Sequence, residues 1–385
     1  MDTLLEQLKT LAVQADSDGR HKVLDFIRTL QLSLETPHDM LSRFSGMHLS
    51  IAAARIGEDL NLFQILAESE QPLSAEELAT KTGAAPLLLS RILRYLASVG
   101  QIHEVGPDSF AANTQTKTLA DPGYRGGIYH FFNNCGPVFQ AFPDFLAENK
   151  YQDIDDASKT AFQKAFPTDL PAFQWLPTQP ERFGPLQQVM TVQGALGNQW
   201  FTVFPFEKEL GNFSGPHVLV DVGGGFGHQC VALRARYPEL QGKLVLEDLQ
   251  QALEHLPPPL ATQLKGVEQV AHNFFEPQPV KGAKFYYLRQ VLHDWPDENC
   301  VVILKHLMDA LGPDSQILID EMVLPDANVP WEATTIDLTM MASLGARERT
   351  NKEWHALLDK AGLKVLRIDT YLPRRQDSII QAVPK

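Results

Sequence analysis

Apolar residues recur near helical spacing over residues 1–36, at Leu4, Leu5, Leu8 and Leu11 and again at Val23, Leu24, Phe26, Ile27 and Leu30. Pro37 ends that stretch, and a second one runs from Asp39 to about Leu66. Ser74 and Glu77 stand at the S-x-x-E spacing of a capping box, which predicts a helix from there to Gly83. A further helix is predicted over 86–99, stopping at Gly100, and residues 102–111 alternate like a short hairpin. Two short helices on a tight turn followed by a hairpin make a winged helix-turn-helix.

Residues 121–210 are rich in aromatics and punctuated by proline: Tyr129-His130-Phe131-Phe132, Phe139, Phe142, Phe145, Phe162, Phe166, Phe173, Trp175, Trp200, Phe201, Phe204 and Phe206. Helices broken by loops are the expectation there, with some rings in the core and others free to line a pocket. From 216 the texture changes to strand–helix alternation, with strands predicted over 217–222, 243–247, 267–273, 284–290, 315–321, 363–369 and 378–383. Such alternation implies an α/β fold, a parallel sheet with helices on both faces. Only about eight residues join the last two strands, too few for a crossover helix, so those two should pair antiparallel.

Composition narrows the function. The 385 residues carry a formal net charge of −14, against a task that neutralises phosphate backbones. The second helix of the winged motif offers only Arg91 and Arg94 among Leu87, Leu88, Leu89, Ile92 and Leu93, whereas a recognition helix needs several basic and polar side chains. Dimerisation or packing is the better reading of that motif, and no nucleic acid is expected as a partner. No apolar run approaches the ~20 residues that span a bilayer, so no membrane role is expected either. The three cysteines, Cys135, Cys230 and Cys300, suggest neither a disulfide framework nor a metal site. With no secretory signal visible at the N-terminus, a cytoplasmic protein is the expectation.

The first strand of the alternating region runs into Asp221-Val-Gly223-Gly224-Gly225-Phe-Gly227 and opens a helix. Glycines there let the backbone approach a ligand closely, and the helix N-terminus offers free N–H groups. A dinucleotide site would place its last glycine at 228, which is His. The frame is D-x-G-x-G-x-G instead, and an acid inside the turn suits a cationic amine better than a pyrophosphate. Asp248, after the second strand, is placed to take ribose hydroxyls.

On these motifs the chain resembles the S-adenosylmethionine-dependent class I O-methyltransferases of the caffeate type, in particular their fungal natural-product branch. The resemblance covers nearly the whole chain. It implies a Rossmann-like seven-stranded methyltransferase sheet, a helical winged-helix dimerisation domain over 1–120, an aromatic connector over 121–209 contributing to the substrate pocket, and a cofactor-binding catalytic domain over 210–385. It further implies S-adenosylmethionine as cofactor and no metal. Asp221, Gly223 and Gly225 would face its methionine part, Asp248 the ribose, and Asn273 and Phe274 the adenine. Arg289 stands where plant members often have a lysine near the cofactor. Asn273 replaces the usual aspartate, which keeps a hydrogen bond and drops a charge.

Leu292-His293-Asp294-Trp295 follows the fourth strand, at the carboxyl edge where open α/β sheets bind ligands. By the resemblance His293 is the general base, and Glu321 and Glu348 are the two glutamates that flank it. Without it, Glu348 reads as an exposed acid in the charged stretch Arg347-Glu348-Arg349. A phenol near pKa 10 and a free imidazole near 6.5 leave full proton transfer uphill by about 5 kcal/mol, a gap that a neighbouring carboxylate narrows.

The reading is an O-methyltransferase acting on a hydroxyl of an aromatic or polyketide-derived small molecule, and a homodimer joined through its N-terminal helices. The alternative is a cofactor-bound, non-methylating pericyclase or dehydratase of polyketide pyridones, in which His130 would reach over the cofactor. A DNA-binding, cofactor-sensing regulator is a third reading, which the charge disfavours.

Overall fold

Local capping chemistry sets where the first helices begin. In the computed structural model, which describes residues 2–154, 156–195, 199–240, 243–254, 256 and 258–385, the stretch read as one helix over 1–36 is two, Asp2–Gln14 and Ser17–Leu34. Asp16 interrupts it and caps the second helix by accepting from the Gly19 N–H. Thr36 and Asp39 then form a reciprocal capping box for Pro37–Asp59. Asn61, at φ 52°, breaks the chain into a separate short helix, Leu62–Glu68.

The chain divides into two compact units, residues 1–132 and 133–385. The first holds the winged motif as read: helices Ala75–Thr82 and Pro86–Ser98, then strands β1 (His103–Gly106) and β2 (Ser109–Ala111) paired antiparallel. Ser74 and Glu77 form the capping box, and Gly83 closes the helix at φ 74°. Its core is Leu62, Phe63, Leu66, Leu78, Leu89, Leu93, Leu96 and Phe110.

The second unit is built on a sheet whose strands are β3 (Leu219–Val222), β4 (Leu244–Asp248), β5 (Glu268–Ala271), β6 (Phe285–Arg289), β7 (Gln316–Leu324), a two-residue β8 (Arg349–Thr350), β9 (Leu363–Leu372) and β10 (Asp377–Pro384). The spatial order is β5-β4-β3-β6-β7-β10-β9, with β8 beside the end of β7. The first five strands in that order are parallel, and β10 runs antiparallel to both β7 and β9, as the short final connection requires.

Each face of this sheet has its own core, which is why the strands read as near-continuous apolar runs. Val220, Leu288 and Ile319 pack with Ile303, Leu304 and Leu307 of helix Asp297–Met308 and with Trp354, Leu357 and Leu358 of helix Asn351–Ala361. Leu219, Leu246 and Tyr287 pack on the other side with Leu233 of helix His228–Arg236 and with Trp200, Phe204 and Phe206. Much of the aromatic segment is core: Trp175 stacks on Phe166 at 5.0 Å and meets Phe162 edge-on at 5.5 Å. The strand order reverses at β3, between β4 and β6, and that switch point opens a crevice beyond the carboxyl ends of the strands. No helix among the described residues is long and apolar enough to cross a membrane.

Candidate active site

The sheet register brings most of the sequence-derived residues to that one edge. Asp221 pairs with Leu246 and with Tyr287, and Arg289 with Asp320, so the ends of β3, β4, β6 and β7 lie side by side. The turn after β3 places Gly223, Gly225 and Gly227 at φ 68°, 57° and 73°, conformations that a side chain resists. A Cβ on Gly223 would lie 3.4 Å from the Phe274 ring and 3.1 Å from Val291, whereas one on Gly225 would project into open space. Asp248 accepts from the Gly225 N–H at 2.7 Å and from the Leu249 N–H at 2.7 Å. Asp221 is buried beneath Gly224, and that burial pushes its carboxyl up to about 7 against the pull of Cys230 and Arg289.

This cradle fits S-adenosylmethionine. Its walls are an open glycine position, the Phe274 ring, two acids and a helix N-terminus at His228 that no side chain among the described residues caps. The buried His228 Nε2 has no hydrogen-bond partner among the described residues, an unspent polar atom at the same turn that sequence reasoning missed. The Asn273 side-chain Oδ1 accepts from the Phe275 N–H at 3.1 Å. Phe274 and Phe275 meet Trp295 edge-on, at 6.1 and 4.8 Å, which couples the cofactor cradle to the His293 turn.

His293 sits in a short 3₁₀ turn, Leu292–Asp294, after β6. Its Nδ1 lies 2.6 Å from Glu348 Oε1. Glu321 does something different: its Oε1 accepts the backbone N–H groups of Val291, Leu292 and His293 at 2.9, 2.8 and 3.4 Å. One glutamate therefore orients the imidazole and the other holds the peptide that carries it. Ring nitrogen and carboxylate oxygens of the three residues lie within 4.8 Å of one another, and all three residues are buried. Glu348, unlike the exposed acid its neighbours suggest, is 3% exposed.

Burial alone would lower the His293 pKa, but Glu348, Asp294 and Glu321 outweigh it and hold the imidazole well above 6.5. Burial pushes Glu321 up to about 8, with Glu348 and Asp294 adding to the rise against His293. Glu321 Oε2, buried and without a hydrogen-bond partner among the described residues, is where that retained proton fits. Asp294, next to His293 in sequence, also faces the ring. Its Oδ1 lies 3.4 Å from His293 Nε2, and burial pushes its carboxyl up to about 6. His130 belongs to the first unit, at the end of helix Pro122–His130, where burial lowers its pKa to about 4. The next five residues, Phe131–Cys135, form a π-turn, a feature that clusters at functional sites.

A family model for the O-methyltransferase domain matches residues 153–364, and one for the O-methyltransferase dimerisation domain matches 42–120. Demethylsterigmatocystin 6-O-methyltransferase of Aspergillus flavus is 43% identical over 387 aligned residues, spanning 100% of this chain and 98% of the relative. The chain belongs to the O-methyltransferase family. Among solved structures, LepI in complex with SAM superposes with a TM-score of 0.93 at 41% identity, over 100% of this chain and 98% of the other. A structure described as a pericyclic reaction enzyme superposes with a TM-score of 0.93 at 40% identity, over 100% and 99%. As an O-methyltransferase the protein is an S-adenosylmethionine-dependent enzyme, and its first unit contains the family's dimerisation domain.

Proposed function

We propose that this O-methyltransferase methylates a hydroxyl of an aromatic or polyketide-derived small molecule, with His293 as the base. The carrying observation is the 2.6 Å contact between His293 Nδ1 and Glu348, which commits that ring nitrogen to a carboxylate; Nε2, with Asp294 Oδ1 at the longer 3.4 Å, is the nitrogen proposed to meet the acceptor hydroxyl. The name of the Aspergillus flavus relative, a 6-O-methyltransferase of demethylsterigmatocystin, supports the substrate class.

Bound in the cradle of Asp221, Gly223, Gly225, Asp248, Asn273, Phe274 and Arg289, S-adenosylmethionine supplies an electrophilic methyl on a cationic sulfur. The chain's own residues align the acceptor and take its proton. Nε2 accepts the hydroxyl proton, Glu348 stabilises the imidazolium that forms, and Glu321 keeps the turn from rotating away. No step asks the protein to create an electrophile.

The test is product mass from purified enzyme, S-adenosylmethionine and hydroxylated acceptors. A product heavier by one methylene, with S-adenosylhomocysteine released, supports the reading. The similarity to the pericyclic reaction enzyme favours one second reading, a cofactor-bound catalyst of dehydration or ring closure. An isomerised or dehydrated product with the cofactor unconsumed would establish that reading instead.

The dimerisation domain is proposed to act in a homodimer through the N-terminal helices. Helix Ser17–Leu34 exposes Leu24, Phe26, Ile27 and Leu30, and helix Pro37–Asp59 exposes Met40, Leu41, Phe44 and Met47, an apolar face that water disfavours. Light scattering should give twice the chain mass, and a monomeric mass would overturn the proposal.

A further inference from the structure

Arg349 has no exposed surface, although it sits in a stretch of charge that suggests solvent. Its guanidinium spends its donors on one turn. Nη1 donates to the Leu292 carbonyl at 2.9 Å, Nη2 to the Trp295 carbonyl at 2.9 Å, and Nε and Nη2 to Asp297 Oδ1 at 3.0 and 2.8 Å. Cys300 Sγ lies 3.4 Å from Nη2 and faces the same two carbonyls at 3.2 and 3.3 Å. Leu292 and Trp295 are the residues on either side of His293 and Asp294. Arg347 takes the other oxygen of Asp297 at 2.9 Å, so the stretches 292–297 and 347–349 are joined through all three consecutive side chains, Arg347, Glu348 and Arg349. β8 anchors that second stretch, with Arg349 in register with Val323, two residues beyond Glu321 on β7.

We propose that Arg349 is a positioning residue for His293, gripping the carbonyls of Leu292 and Trp295 so that the turn holds the imidazole where Nδ1 meets Glu348. The inference rests on His293 being the base. The residue type follows from the job. A planar fork of five N–H donors reaches two carbonyls and a carboxylate at once, which the compact ammonium of lysine does not. A buried cation is retained at such a place only when it is well paired, and here each guanidinium nitrogen has an acceptor. Loosening the grip lets the turn rotate about the peptide, and the Glu348 contact is the one most sensitive to that rotation, being short and directional.

The groups facing His293 are Glu348 from the loop before helix Asn351–Ala361, Asp294 on its own turn and Glu321 from β7. Of these, Glu348 makes the closest contact with the ring. Weakening that contact moves the imidazole's titration down toward its ordinary value.

Two variants of the full-length enzyme test this: Arg349→Lys, and Asp297→Asn, which keeps the guanidinium and removes its anionic acceptor. The readouts are the His293 imidazole titration by NMR in the free enzyme, assigned by its loss in His293→Ala, together with kcat, acceptor KM and S-adenosylhomocysteine affinity. Both variants should lower the titration midpoint by about one pH unit or more, lower kcat about tenfold, and leave KM and cofactor-product affinity within about threefold. A midpoint unchanged in a folded variant overturns the inference, and if Arg349→Lys does not fold, Asp297→Asn alone decides. Methyl transfer surviving in His293→Ala would instead remove His293 as the base, and the NMR midpoint would still judge whether Arg349 positions the ring.

Discussion

Replacing His293 with alanine is expected to lower kcat for methyl transfer by about a hundred- to ten-thousand-fold, the range a positioned general base supplies. On the proposed assignment the substitution removes the group that takes the hydroxyl proton, and it alters none of the glycine turn, Asp248 or Phe274. S-adenosylhomocysteine should therefore bind within about twofold of wild type, measured by calorimetry. The size of the loss separates two kinds of acceptor. One that ionises readily needs little help with its proton and loses less than a simple phenol. An acceptor series of graded acidity should accordingly show a steeper dependence of rate on acceptor pKa in the variant than in wild type. Retention of full activity with a simple phenol would end the assignment of His293 as the base.

Glu348→Gln carries the second large expectation, and its signature is in pH. The active form of a base is the neutral one. Because Glu348, Asp294 and Glu321 hold the His293 pKa well above 6.5, the neutral imidazole is the minor form at neutral pH in the free enzyme. Wild-type kcat/KM should then climb about tenfold per pH unit above 6.5 and level off only beyond the raised pKa. Glu321, pushed up to about 8, titrates within that range and is coupled to the imidazole, so the climb is drawn out. Asp294, at about 6, is already ionised where the climb begins.

Removing the Glu348 charge lowers the folded pKa of His293, which shifts the rising limb toward acid. The plateau falls as well, by about a hundredfold or more, because an amide fixes the ring tautomer poorly and stabilises no imidazolium. The two effects oppose each other at low pH, and at high pH only the lower plateau counts, so the ratio of wild-type to variant activity should grow from pH 6 to pH 9. A wild-type profile already flat at pH 6.5 would contradict the electrostatic picture of the site.

Stability has a related dependence. Asp221, Glu247 and Glu321 are buried carboxyls whose folded pKa values are raised to about 7, 7 and 8. Each holds its proton in the folded chain at a pH where the unfolded chain has lost it. Their burial therefore costs more as pH rises from about 4 through 8, which makes alkaline conditions the ones that strain this core.

Much of the architecture was legible because it is local. The glycine turn, the Ser74–Glu77 capping box and the alternation of strands with helices are decided within a few residues, and all appear in the fold where the sequence puts them. The same reasoning passed over the Thr350–Glu353 capping box, although its spacing is identical, because the charged residues before it suggested a solvated loop. It also merged the first two helices, since a single capping aspartate at 16 leaves the apolar rhythm almost undisturbed.

The site divides along the same line. The residue types at 221–227, 248, 293, 321 and 348, together with the family resemblance they carry, are properties of the chain itself, and they determine that it is an S-adenosylmethionine-dependent O-methyltransferase. Which glutamate meets the ring, which one holds the backbone, and that Arg349 lies buried against the Leu292 and Trp295 carbonyls are decided by the tertiary structure alone. The physical reason is distance along the chain. Glu348 and Arg349 reach the His293 turn across more than fifty residues, through a two-residue strand laid beside β7. Burial and electrostatic partners arise only when such segments close on one another, and in the unfolded sequence Arg347-Glu348-Arg349 is simply three charges in water.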